Sequence, residues 1–135
     1  MVEKKKMQLY WRYIAEQNAD ELFSFFHEDG LIRWHCSNEQ FSVPEFIKAN
    51  CEYPGKWNGE LERMEQNGDQ IITAAHIWSD EVSCHVVSFF QMEQGKIRQL
   101  DEYWGDDGEI PDWRIQMKIG RPIVTSLPKR AEKRI

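Results

Sequence analysis

The chain has 135 residues and a formal charge of −6. Its 41% hydrophobic and 13% aromatic content excludes a disordered polymer. The acidic balance argues against non-specific binding to nucleic acid, which needs a basic footprint, so no nucleic-acid partner is expected.

At this length one domain is expected, residues 1–124, followed by a basic tail, 125–135, that is expected to fray. The basic residues Arg114, Lys118, Arg121, Lys129, Arg130, Lys133 and Arg134 read as a solvated stretch, or alternatively as a clamp on a second subunit. Cys36, Cys51 and Cys84 are odd in number and widely spaced. Lys4, Lys5 and Lys6 lead into an amphipathic stretch, not an apolar one, and no run reaches the length of a membrane span. A cytoplasmic chain with reduced thiols and no membrane partner is the expectation.

Met7, Tyr10, Trp11 and Ile14 recur at helical spacing and predict a helix over 4–17. Asn18 and Glu21 form a capping-box pattern for a second helix carrying Leu22, Phe25 and Phe26, ended by Asp29-Gly30. Leu31 to Cys36 reads as a short strand. Ser42 and Glu45, with Pro44 between them, predict the start of a third helix that Tyr53-Pro54-Gly55 closes.

The period then changes to two. Strands are predicted over about 57–66, 70–79, 82–92 and 96–104. Asn67-Gly68 is a strong hairpin signal, and the later joints are short enough to force an antiparallel meander. The fold class is α+β, with three N-terminal helices packed on a curved antiparallel sheet.

Pairing residue 79 with 82, and 92 with 97, predicts three rows on one face. These are Ile72, Phe89 and Leu100; Ala74, Val87 and Glu102; and His76, His85 and Trp104, with Trp78 beyond. The other face holds Ile71, Ile77, Cys84, Val86, Phe90, Ile97 and Tyr103. Two apolar faces need two covers, so a homodimer through the sheet is expected.

The stretch MQLYWRYIAEQNADELFSFFHEDGLIRW resembles the opening of the nuclear transport factor 2-like superfamily, and GKIRQLDEYWGDDG resembles the last strand of its SnoaL-like members. The resemblance spans about residues 7–105. It implies a cone-like SnoaL-like α+β barrel enclosing a pocket, on a fold that hosts enzymes and non-enzymatic modules alike. In limonene epoxide hydrolase and SnoaL-like cyclases, the acid just before the aromatic pair on the last strand is catalytic. Glu102 occupies that place here. The middle strand ITAAHIW lacks the Arg-x-Asp pair of the hydrolase and supplies only His76, which argues against epoxide hydrolysis. By likeness to ketosteroid isomerase, Tyr10 or Tyr13 is a candidate oxyanion donor.

The residues themselves point the same way. A carboxylate among apolar neighbours is harder to ionise, which suits proton transfer near neutral pH. Glu102 is therefore the candidate catalytic group, with His76 and His85 assisting. Tyr13, Trp34, Trp57, Trp78, Phe89, Leu100 and Trp104 are candidate ligand-binding residues for a small hydrophobic molecule. His35, Cys36, Cys51, Cys84 and His85 match no standard zinc spacing, so no metal is expected, and no cofactor motif is present. The functional expectation is cofactor-independent acid/base chemistry such as isomerisation, cyclisation, dehydration or hydration. The alternative is a ligand-binding or association module without turnover.

Overall fold

The computed structural model describes residues 2–123; the tail expected over 125–135 lies outside the described residues. The elements run α1 (Val2–Glu16), α2 (Ala19–Phe23), β1 (Phe26–Trp34), β2 (Glu39–Ser42), α3 (Val43–Cys51), β3 (Asn58–Asn67), β4 (Gln70–Trp78), β5 (Ser83–Glu93), β6 (Lys96–Asp106) and α4 (Asp112–Gln116). Among the described residues, six strands form one sheet in the order β2-β1-β6-β5-β4-β3. This is an α+β architecture. A strand between α2 and α3 was expected, but three details differ: β1 begins at Phe26 rather than Leu31, a further strand β2 precedes α3, and β1 runs parallel to β6, so the sheet is mixed. Among the described residues, no helix is long and apolar enough to cross a membrane.

Both predicted N-caps form, but only the second as a full capping box, since the Asn18 backbone N–H donates to the Tyr13 carbonyl and not to Glu21. The Asn18 side chain accepts from the Glu21 backbone N–H, and Ser42 and Glu45 close a reciprocal capping box. The second helix is shorter than its sequence suggests. Phe26 buries its ring as the first residue of β1 and pairs with Ile97, and this contact outweighs the helical propensity of the segment. Between Phe26 and Leu31 the register shifts. At this irregularity a Cβ on Gly30 would lie 3.1 Å from the His27 carbonyl oxygen and 3.3 Å from that of Ile97, so a larger residue would require these backbones to give by a few tenths of an ångström.

One face of the sheet packs on the helices. Tyr10, Trp11 and Ile14 of α1 and Phe46 and Ile47 of α3 meet Ile71, Ala75, Val86, Phe90 and Leu100 in one buried cluster. The indole of Trp11 donates to Thr73 Oγ1 at 3.2 Å, tying α1 to β4. Tyr10 stands at the centre of an aromatic group, edge-on to Trp11, Phe25 and Phe90 at 5.2–5.5 Å.

The meander confirms the β4–β5 pairing, with Ile72 opposite Phe89, Ala74 opposite Val87 and His76 opposite His85. The β5–β6 pairing differs. Met92 faces Ile97 as expected, but Gln91 then faces Gln99, leaving Arg98 as an extra residue in a bulge. Beyond the bulge every partner moves by one. Glu102 faces Ser88, not Val87, and Trp104 faces Val86, not His85. Leu100, Glu102 and Trp104 therefore share the helix-packed face with Val86, Ser88 and Phe90. His76, His85, Trp78, Val87, Phe89 and Tyr103 lie on the opposite face.

Candidate functional site

Along β6 the inward residues descend from Asp106 through Trp104 to Glu102 and Leu100. Asp106 and Trp104 line a pocket of about 550 Å³ with Trp34 from β1, Ile77 from β4 and Cys84 from β5. Tyr53 and Trp57 close it from the segment after α3. Gln17, which follows α1 with φ of 58°, donates to the carbonyls of Asn50 and Tyr53 at 2.9 and 2.6 Å, and so holds α1 to the end of α3 at the pocket wall. The lining is mainly apolar and aromatic, with a few polar groups, as small-molecule sites generally are.

Glu102 lies directly behind two of these walls. Its Oε1 accepts from the indole N–H of Trp34 and of Trp104, both at 3.1 Å. Its Oε2 accepts from the Ser88 hydroxyl at 2.6 Å. The side chain is only 1% exposed. Burial raises its pKa to about 7, against the opposing pull of these three hydrogen bonds. A carboxyl in this state exchanges its proton in the physiological range. Tyr10 is also fully buried, and its hydroxyl has no hydrogen-bond partner among the described residues. Burial and then the nearby Glu102 charge push its pKa well above the ordinary value.

The residues expected to form one site are divided between two faces. Trp34, Trp57 and Trp104 line the pocket. Leu100 is sealed in the core two residues below Glu102. Tyr13 is half-buried against Phe25, with ring centres 6.1 Å apart. Phe89 packs edge-on against Tyr103 on the outer face. His76 and His85 are also on the outer face, stacked at 4.6 Å with Trp78 against His76 at 4.5 Å. The bulge at Arg98 is the reason that the histidines and Glu102 do not meet.

The outer-face pair has partners of its own. His85 Nδ1 lies 2.5 Å from Asp107 Oδ1, and the Ser83 hydroxyl donates to Asp107 Oδ2 at 2.5 Å while lying 2.8 Å from His76 Nε2. Burial and then the neighbouring His85 lower the His76 pKa. For Asp107, burial acts upward, but the hydrogen bonds from Ser83 and His85 outweigh it and hold the carboxyl below its usual value.

Sequence reasoning did not single out Ser88 or Gln17. Ser88 carried a usable signal: a lone hydroxyl inside the apolar run Val86-Val87-Ser88-Phe89-Phe90 needs a buried acceptor. Cys84 lines the pocket but is no nucleophile at neutral pH. Its thiol is pushed up to about 12 by burial and by Asp106, to which it donates.

No family model matches the sequence, and no curated protein sequence matches it. Solved structures do match. An NTF-2 like protein of unknown function from Burkholderia xenovorans superposes with a TM-score of 0.72 at 21% identity, covering 88% of this chain and 94% of the other. A candidate ketosteroid isomerase from Kribbella flavida gives 0.71 at 18% identity, covering 86% of each chain. A candidate SnoaL-like polyketide cyclase from Shewanella putrefaciens gives 0.57 at 12% identity, with 81% and 79% covered. The chain has the nuclear transport factor 2-like fold, the fold it shares with these ketosteroid isomerase-like and SnoaL-like structures.

Proposed function

We propose that this chain is a cofactor-independent acid/base enzyme that binds a small, largely apolar molecule in its aromatic pocket and moves a proton through Glu102. The observation that carries this reading is the buried carboxyl held by the indoles of two pocket-lining residues, Trp34 and Trp104. In the proposed cycle a polar end of the substrate displaces one indole from Oε1. Neutral Glu102 then donates its proton, or the ionised form accepts one, with Ser88 keeping the carboxyl oriented. Tyr10 lies behind the pocket wall, with an unpartnered hydroxyl near enough to feel the Glu102 charge, and is proposed to stabilise the developing negative charge once an indole has moved aside. The isomerase and cyclase names of structures with this fold agree with chemistry that begins by removing a proton next to a carbonyl. The sheet and helices are proposed to form a cone around the pocket, in a cytoplasmic homodimer joined through the outer face where Val87 and Tyr103 are exposed; sedimentation would show a monomer if the dimer proposal is wrong.

The test is exchange of α-protons for deuterium across a panel of enolisable ketones, followed by NMR. Glu102→Gln is expected to slow exchange roughly 10²–10⁴-fold. Ligand affinity, read by quenching of the pocket tryptophans, is expected to change little. Equal exchange in wild type and variant would refute the catalytic role.

A second reading has one observation in its favour. Trp34 and Trp104 shield the carboxyl in this conformation, which suits a binding module in which Glu102 only fixes the indoles. That reading expects ligand binding with no exchange above background in either protein.

A further inference from the structure

We propose that Glu62, His76 and His85 form a binding site for one divalent transition-metal ion, with Zn²⁺ the best fit, on the face of the sheet opposite the pocket. The three side chains belong to adjacent strands β3, β4 and β5, and one ligand atom from each lies within 4.8 Å of the others. Two imidazoles and a carboxylate are a ligand set that suits zinc, and three protein ligands leave a fourth position for water.

The hydrogen bonds select which ring nitrogens are available. The Ser83 hydroxyl donates to Asp107 Oδ2 and therefore accepts from His76 Nε2. Asp107 Oδ1 accepts from His85 Nδ1. In the neutral rings these bonds put the protons on His76 Nε2 and His85 Nδ1 and leave the lone pairs on His76 Nδ1 and His85 Nε2. This carboxylate-to-imidazole arrangement is the outer support that ligating histidines commonly have.

Glu62 supplies the third ligand from an irregular position. The β3–β4 register shifts between Leu61 and Arg63, and Glu62 is the extra residue there. Its Oε2 stands 3.5 Å from His85 Nε2. A carboxylate oxygen facing an imidazole lone pair is repulsive unless a proton or a cation lies between them. The spacing is close to the roughly 3.3 Å between two ligands of a tetrahedral ion with bonds of about 2.0–2.1 Å. The two rings are stacked at 4.6 Å with planes 8° apart, so their in-plane lone pairs do not yet converge, and one ring must tilt for both to reach the same ion.

The test uses the full chain stripped with a chelator. Titration calorimetry with Zn²⁺ alone at neutral pH is expected to show one ion per chain. Co²⁺ is expected to give the visible bands of a tetrahedral nitrogen and oxygen site, without the thiolate charge-transfer band that Cys36, Cys51 or Cys84 would produce. Asp107→Asn is expected to weaken binding roughly 10–100-fold through the loss of its support to His85, and His85→Ala and Glu62→Gln more than that. In the single chain the side chains of His85 and Glu62 are 41% and 40% exposed, so these two variants should fold; because they lie on the face proposed as the dimer seam, circular dichroism checks folding and sedimentation checks assembly. Absence of saturable uptake, binding unchanged in His85→Ala and Glu62→Gln, or a thiolate band would each overturn the proposal.

Discussion

Glu102→Gln should be more stable than the wild type at pH 8 by about 3 kcal/mol more than at pH 4. The folded-state pKa of about 7 lies above the ordinary value of 4.5 because burial disfavours the charged form. Between those two values the folded chain keeps a proton that the unfolded chain has released. Stability therefore falls as pH rises through this window, and the loss is complete above the folded pKa. Glutamine is neutral throughout and lacks this dependence. It also fits the site: its carbonyl oxygen can accept from both indoles while its amide donates to Ser88, whose hydroxyl can accept as well as donate. Other carboxylates titrate equally in both proteins and cancel in the difference. Urea unfolding of both proteins at the two pH values measures the effect. A stability gap that does not change with pH would show that Glu102 titrates like an exposed carboxylate.

Tyr10→Phe should leave the chain as stable as the wild type or stabilise it by roughly 1–3 kcal/mol. A buried tyrosine hydroxyl normally has a partner, and burying one without a partner is costly. The Tyr10 hydroxyl has none among the described residues, although its ring is held on several sides by Trp11, Phe25 and Phe90. Phenylalanine keeps those ring contacts and removes the oxygen. Under the proposed function the same substitution should reduce α-proton exchange, because the donor that steadies the developing charge is lost. Stabilisation combined with lost activity would identify Tyr10 as a group kept for function at a cost in stability. Thermal unfolding separates the outcomes: a variant less stable by 1 kcal/mol or more would mean that the hydroxyl has a partner in solution.

Local signals read well from the sequence. The spacing of Met7, Tyr10, Trp11 and Ile14 gives α1, the Ser42–Glu45 pair gives the start of α3, and Asn67-Gly68 gives the β3–β4 hairpin. Each depends on residues within one turn or one hairpin of each other. What failed depends on contacts distant in sequence. The strand β2 has four residues with one large apolar side chain, Phe41, and is formed by pairing with β1. The early end of α2 follows from the Phe26–Ile97 pairing, 71 positions apart.

The site illustrates the same limit more sharply. Glu102 was legible as a buried acid through its place before Tyr103-Trp104. Trp104 was expected beside it, but the partners of Glu102 on β5 were not legible, because one inserted residue, Arg98, changes which residues of β5 it faces. Nothing in Gln91-Met92 or Arg98-Gln99 marks a bulge. The guanidinium of Arg98 bonds to Asp29 and Glu93, contacts that only the folded chain reveals. The shift exchanges Val87 for Ser88 beside the carboxyl and moves His76 and His85 to the far side of the sheet. It separates one expected site into two.

The most direct measurement is a titration of the carboxyl itself. Side-chain carboxyl carbons of glutamate, labelled with ¹³C and followed by NMR across pH, report each acid separately. We expect one resonance with a midpoint near 7 that is missing from the spectrum of Glu102→Gln. If every glutamate in the wild type instead titrates near its ordinary value, the proton-transfer account of this pocket is contradicted.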